Sequence, residues 1–244
     1  MANYKLTIAY DGTAYKGWQY QPDQRTVQGT IHRALQIITK RKPKIYGAGR
    51  TDAGVHALGQ VANFHTRLSI PTDSMRRALN SLLPPDIRIL KCEIVGEKFN
   101  ARFHARGKVY EYRLFEGEVL LPHIQRFTAQ VRGPSLDLNA VKEAAAYLVG
   151  EKDFSSFASE DSRKDRVRKI QSFKVWKKGG IIYFRVRGSG FLKYMVRIMV
   201  GTLIEVGKGK ITPAEFKSIL EARDRTLAGP TAPPQGLFLL KVLY

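Results

Sequence analysis

The sequence has few groups that could crosslink the chain. A single cysteine, Cys92, stands among its 244 residues. One thiol can neither close an internal disulfide nor hold a zinc ion alone, which excludes a disulfide-stabilised secreted scaffold and a zinc-finger module. A single thiol suits a reducing compartment, and we expect a cytoplasmic protein.

Long hydrophobic runs and metal-binding patterns are also missing. The most apolar stretch, residues 191–206, contains Lys193, Arg197 and Glu205 and is too short to cross a bilayer. The five histidines form no H-x-x-x-H pair, and none has a cysteine partner at ligand spacing. We therefore expect a soluble protein with no membrane segment and no metal site.

Acidic residues are scarce relative to basic ones. Asp and Glu together number 21 against 41 Lys and Arg, so the formal net charge is +20. Both halves of the chain are basic, which excludes a neutral enzyme with a basic tail. A body of this charge predicts a polyanionic partner such as nucleic acid.

Hydrophobic periodicity predicts an α+β protein. Alternating residues predict strands, and helical spacing with capping residues predicts helices. The predicted strands cover 4–10, 60–66, 87–95, 108–115, 173–177, 181–187 and 236–244, and the predicted helices cover 27–39, 72–83, 138–149, 191–206 and a segment beginning at Pro213. Similar strand-turn openings at 4–12 and 108–117 suggest two related halves without a clear linker.

The segment GAGRTDAGVH, residues 47–56, is the most unusual in the chain. It is not a dinucleotide-binding loop, because the third glycine position of G-x-G-x-x-G falls on Asp52, and it lacks the Gly-Lys-Ser/Thr of a phosphate-binding loop. Asp52 is either a turn residue or a nucleophile or general base in a basic surface. Arg50 is either a simple phosphate contact or part of the same site.

Two further features carry alternative interpretations. Arg197 lies within an apolar predicted helix and needs a partner, either a structural carboxylate or Asp52 in an active site. Tyr110 and Tyr112 share one face of a predicted strand with Lys108. They form either a stacking platform for unpaired bases or part of the core.

These residues together resemble the tRNA pseudouridine synthase A family over essentially the full length of the chain. Six elements carry the resemblance in order: Asp11-Gly12 with GWQ at 17–19, TVQ at 26–28, AGRTDAGVH at 48–56, FNARF at 99–103, the Tyr110/Tyr112 strand, and the segment 191–201 with Arg197. Chance does not explain six such motifs in order.

The resemblance implies an isomerase that converts uridine to pseudouridine at positions 38, 39 and 40 of tRNA, without a cofactor. It implies Asp52 as the catalytic aspartate, Arg197 as its buried partner, Tyr110 as the aromatic that stacks on the target uracil, and Arg50 as an aid to base extrusion.

The same resemblance implies a homodimer and an α+β fold in which two similar subdomains, 1–106 and 107–244, carry antiparallel sheets that meet around a central catalytic cleft, with helices on the outer face. The first would carry the Asp52 loop and the second would complete the cleft. Basic runs at 40–42 and 163–169 are expected to hold the RNA backbone.

Two other functions share some of these features. A non-catalytic RNA-binding protein would have the same charge and aromatic strand but no need for the Asp52 loop or for Arg197. An RNA methyltransferase would need a glycine-rich cofactor loop, and the only glycine-rich candidate carries Arg50 and Asp52 instead.

Overall fold

The structure is a computed structural model that describes residues 1–159 and 165–244. Its helices and largely antiparallel strands confirm the α+β class. From residue 1 to 106 the elements are β1 (Ala2–Tyr10), α1 (Val27–Thr39), β2 (Ile45–Gly47), β3 (His56–Thr66), α2 (Thr72–Leu82) and β4 (Ile87–Val95).

The remaining elements follow from residue 107. They are β5 (Gly107–Glu116), α3 (Pro122–Gln125), β6 (Ala129–Val131), α4 (Leu138–Ala146), β7 (Gly150–Asp153), β8 (Val167–Lys178), β9 (Ile181–Gly188), α5 (Met195–Gly207), α6 (Pro213–Ala222) and β10 (Leu237–Leu243). None of the helices in the described residues has the length and apolar character that crossing a membrane requires.

The chain forms two compact units. The first unit consists of Met1–Arg106 together with Phe238–Tyr244, and the second unit consists of Gly107–Leu237. The expected subdomains, 1–106 and 107–244, differ from these units in the place of the final strand. Strand β10 groups with the first unit because it pairs in parallel with β3, Phe238 opposite His56 and Leu239 opposite Ala57.

In the first unit, β1 lies between β3 and β4 and is antiparallel to both. Alternate residues of β1, Tyr4, Leu6 and Ile8, are fully buried, as the period of two requires. Helix α1 begins at the N-cap Thr26, whose hydroxyl accepts from Gly29 N–H at 3.3 Å. The core therefore lies between one face of this sheet and the apolar faces of α1 and α2.

In the second unit, β9 lies between β5 and β8 and is antiparallel to both. Strand β7 extends this sheet beside β8, and β6 is parallel to β5. Helix α5 is buried along almost its whole length, which is typical of a helix that is apolar all round. It packs against α4 in the core of this unit.

The bounds of several elements differ from those predicted. Strand β3 begins at His56 and not at Gln60, because the residues after the glycine-rich loop pair with β10. Helix α5 begins at Met195 and not at Phe191, because Tyr194 has left-handed backbone angles (φ 62°) that no α-helix continues. Helix α4 ends at Ala146 rather than 149, and β8 starts at Val167 rather than 173.

Candidate active site

The Asp52 loop connects β2 to β3 and is held by backbone hydrogen bonds to the segment that follows β1. Trp18 N–H donates to the carbonyl of Thr51 at 3.1 Å, and Gly54 N–H donates to the carbonyl of Tyr15 at 3.2 Å. Val55 N–H donates to the carbonyl of Asp52 at 3.2 Å and closes a turn. Asp52 is half-buried. The main-chain hydrogen bonds of Thr51 and Gly54, on either side of it, set its position.

Two glycines allow this close approach. A Cβ at Gly12 would stand 2.0 Å from the carbonyl oxygen of Val55, and one at Gly17 would stand 2.6 Å from that of Thr51. Gly17 also has φ +89°, which side chains rarely adopt. Gly12 and Gly17, both in the first of the six elements, are therefore needed for contact with the Asp52 loop.

Tyr10 makes a buried side-chain contact next to Asp52. Its hydroxyl lies 2.7 Å from the hydroxyl of Thr51, and burial raises the pKa of Tyr10 although that hydrogen bond opposes the shift. Gln60 of β3 donates to the carbonyl of Gly49 at 2.9 Å. The phenol therefore stays neutral at working pH, and the loop is tied to two strands of the first unit.

His56 ends the loop and is itself almost completely buried. Gly12 N–H donates to its Nδ1 at 3.0 Å, and its ring stacks on Phe238 at 4.7 Å between centroids. A carboxylate oxygen of Asp11 lies 3.2 Å from the same nitrogen. Gly12 N–H and the Asp11 carboxylate therefore compete for the same ring nitrogen, and the tautomer of His56 decides which of them is its hydrogen-bond partner.

Arg50 and the basic run 40–42 lie at the surface of the first unit. Arg50 is exposed two residues before Asp52, as a residue that meets a ligand must be. Lys40, Arg41 and Lys42 are all exposed after the end of α1. Of the second predicted basic run, residues 163 and 164 lie outside the described part of the chain, whereas Lys169 is exposed.

Tyr110 lies on β5 in the second unit. Its side chain is 7% exposed, and its ring meets Phe191 edge-on at 5.1 Å. Tyr112 shares this face but is completely buried, and its hydroxyl donates to the carbonyl of Pro233 at 2.9 Å. The expected platform of two tyrosines is therefore corrected: both side chains are buried, Tyr112 completely and Tyr110 all but 7%, as the alternative interpretation had it.

Arg197 lies in the first turn of α5. Its Nε donates to the carbonyl of Ala232 at 2.7 Å, and its guanidinium lies 5.1 Å from the ring centroid of Tyr194. The side chain is half-buried, whereas the resemblance implied a buried arginine. Gly201 permits the approach of the Ala232 segment, since a Cβ there would stand 1.7 Å from the carbonyl oxygen of Pro230.

Comparison with known proteins identifies the family. A family model described as tRNA pseudouridine synthase matches residues 6–104 and 144–244, which is more than half of the chain. The chain belongs to the tRNA pseudouridine synthase family.

Curated relatives match this member of the tRNA pseudouridine synthase family along its whole length. A protein of Brevibacillus brevis named tRNA pseudouridine synthase A is 47% identical, with both chains completely covered. A protein of the same name from Bacillus pumilus is 48% identical over 98% of each chain. A solved Cbf5-Nop10-Gar1 complex matches at 14% identity with a TM-score of 0.36, covering 82% of this chain and 54% of that one.

Sequence reasoning missed several contacts of the candidate residues within each unit. The Tyr10–Thr51 contact gave no signal beyond the alternation of β1, and the contact of Phe191 with Tyr110 crosses elements that are distant in sequence. Glu111, between the two tyrosines, is a buried carboxylate paired with Arg113 at 3.0 Å and Arg185 at 2.5 Å. The sequence did offer a signal for these ion pairs, since Glu111 is an acidic residue within a predicted strand of mostly apolar residues.

Proposed function

We propose that this chain isomerises uridine to pseudouridine in tRNA. The reaction breaks the bond from C1′ to N1, turns the base, and forms a bond from C1′ to C5; C5 loses a proton and N1 gains one, so there is no redox change. The observation that carries the proposal is the Asp52 loop, a half-buried carboxylate held by main-chain hydrogen bonds in a chain of net charge +20. Membership of the tRNA pseudouridine synthase family supports it.

Asp52 is the catalytic carboxylate in this proposal. It can act by attacking C1′, by adding to C6, or by taking the C2′ proton to give a glycal. Each route needs the carboxylate held within reach of one sugar or base atom, and a loop clamped by Trp18 and Tyr15 provides that positioning.

The uracil must leave the base stack before Asp52 can reach it. Arg50 is exposed beside Asp52 and helps to extrude the base in this proposal. Tyr110 stacks on the uracil once it is extruded. Stacking tolerates the turn of the base because the uracil presents a π-face to the tyrosine ring both before and after the turn.

We further propose that the two units form a central cleft in which Arg197 pairs with Asp52. The guanidinium would keep the carboxylate ionised in a partly desolvated site. The substrate positions are 38, 39 and 40 in the anticodon stem-loop. The working form is a cytoplasmic homodimer, located where its tRNA substrate is found.

The central test replaces Asp52 with asparagine. We expect Asp52→Asn to lower the single-turnover rate on a tRNA transcript by about 10²–10⁴-fold, the range typical of a lost acid–base group. The affinity for tRNA should be kept. Pseudouridine is mapped in the treated tRNA, and Asp73→Asn on the exposed face of α2 is the matched control. Product formation by pure Asp52→Asn would refute the assignment, and an inactive wild type would indicate a non-catalytic RNA-binding protein.

Arg197 is tested through the pH dependence of the rate. Without its counter-ion the pKa of Asp52 rises, so the carboxylate is protonated at higher pH, and Arg197→Met should suppress activity most strongly at low pH. Arg197→Lys keeps the charge but not the planar fork and should recover only part of the rate. A lower melting temperature with full activity in the folded fraction would show that Arg197 is structural.

A further inference from the structure

Phe103 is the most exposed large apolar side chain in the described residues, at 78%. It belongs to the FNARF segment, whose role is not explained by the Asp52 loop. Ala101, two residues earlier, is fully buried. The same short segment therefore places one side chain in the core and the Phe103 ring in solvent. An exposed phenylalanine contributes little hydrophobic stabilisation to the fold.

Two buried asparagines hold the backbone of this segment. Asn3 Nδ2 donates to the carbonyl of Phe99 at 2.9 Å, and Asn63 Oδ1 accepts from Ala101 N–H at 2.8 Å. Asn3 and Asn63 are 1% and 0% exposed and are joined by a hydrogen bond of 2.9 Å. Buried amides are normally hydrogen-bonded, and here those bonds fix the backbone of the loop at Phe99 and Ala101.

The tip of the loop is fixed as well. Asn100 Oδ1 accepts from Arg102 N–H at 2.9 Å and from Phe103 N–H at 3.2 Å. Tyr244 of the first unit donates its hydroxyl to the carbonyl of Ala101 at 2.9 Å. The Phe103 ring is therefore presented to solvent by a preorganised loop.

The sequence on either side of Phe103 is mostly cationic. Lys98, Arg102 and Arg106 are exposed, and the nearest acidic residue in sequence, Glu97, contacts the N-terminal ammonium of Met1. The guanidinium carbon of Arg102 lies 5.7 Å from the centroid of the Phe103 ring. An aromatic ring among cations matches the chemistry of a nucleotide, whose base stacks and whose phosphate pairs with the cations.

We propose that Phe103 is a stacking site for an unpaired nucleobase of the RNA substrate, separate from the stacking of the target uracil. The identification of the ligand as RNA rests on the proposed function. A second copy of this chain that met the patch through the same face would bring Arg102 and Arg106 against their own counterparts, which is unfavourable, whereas a homodimer through another face would leave the patch free for RNA. A preorganised ring also loses little entropy when a base binds.

The test measures the dissociation constant of a tRNA transcript with wild type, Phe103→Ala and Phe103→Tyr. One lost base stack is expected to weaken binding about 5- to 150-fold in Phe103→Ala, whereas Phe103→Tyr keeps wild-type affinity. Ile94→Ala, another exposed apolar residue of the first unit, is the matched control and should bind normally. The single-turnover rate at saturating tRNA should stay at the wild-type value in Phe103→Ala.

The salt dependence of tRNA binding distinguishes base stacking on Phe103 from phosphate binding by Arg102. Phe103→Ala should keep the wild-type slope of log K against log salt, whereas Arg102→Gln should reduce that slope by about one. Wild-type affinity in Phe103→Ala would overturn the proposal, and so would a change of oligomeric state on gel filtration. An inactive wild type that still shows the Phe103 effect on binding would reject the proposed function and leave this site standing.

Discussion

At the scale of single residues, the structure shows a side-chain contact next to Asp52 that the sequence did not predict, the hydrogen bond between Tyr10 and Thr51. We expect Tyr10→Phe to leave the buried Thr51 hydroxyl unsatisfied, to lower stability by about 0.5–1.5 kcal/mol, and to reduce kcat with little change in KM. Urea unfolding and single-turnover rates measure the two effects.

The double variant Tyr10→Phe with Thr51→Val is the control for this pair. Replacing both polar partners by apolar groups of similar shape removes the unsatisfied group, so stability should recover. The rate should stay low, because the bond that orients the residue before Asp52 is still missing. A wild-type rate in either variant would show that the contact serves folding alone.

At the scale of elements, the long periodic segments could be predicted from the sequence. Helix α1 and strand β4 have the predicted bounds. The apolar period of α1 runs unbroken from its N-cap, whereas the alternation of β4 shifts at Leu90, where its register with β1 changes. The three-residue strands β2 and β6 could not be predicted, since they are too short to show a period and depend on partners distant in sequence.

The candidate site shows the same division. Asp52 and Arg50 stand out because a loop of glycines around opposite charges is rare, and this is visible from residue types alone. The late start of α5 depends on one left-handed residue, Tyr194, whose conformation the sequence does not signal. The burial of Tyr112 depends on Pro233, more than a hundred positions away.

Glu116 at the end of β5 links three segments of the second unit and predicts a pH dependence of stability. It accepts from Leu136 N–H at 2.5 Å and pairs with Lys177 of β8. Burial alone would raise the pKa of Glu116, but the bonds from Lys177 and Leu136 outweigh burial and lower it.

A carboxyl whose pKa is lowered by folding stabilises the fold above its unfolded pKa of about 4.3, and this stability is lost as pH falls through the lower folded value. We expect Glu116→Gln to lower the melting temperature at pH 7 and to flatten its decline below pH 5. Glu221→Gln, on the exposed side of α6, is the comparison variant. Parallel melting curves for wild type and Glu116→Gln across this range would contradict the assignment.

At the scale of the whole molecule, the charge of +20 predicts a steep loss of tRNA affinity with salt. Each neutralised duplex phosphate contributes a slope of about −0.9 in log K against log salt. We expect a slope corresponding to several phosphates, measured by filter binding between about 50 and 200 mM salt. Asp52→Asn should give the same slope, and a flat dependence would be inconsistent with an electrostatic RNA surface.

The first unit is divided in sequence by the whole of the second. A ribosome adding about 5–20 residues per second makes residues 1–106 early, and strand β10 emerges only after Gly107–Leu237 has been made. Until then the β3 residues that follow the Asp52 loop lack their partner strand, and His56 lacks the ring of Phe238. The backbone hydrogen bonds that hold Asp52 all come from residues 1–106 and can form early, whereas the packing of His56 at the end of the loop is completed only when the distant strand β10 has been made.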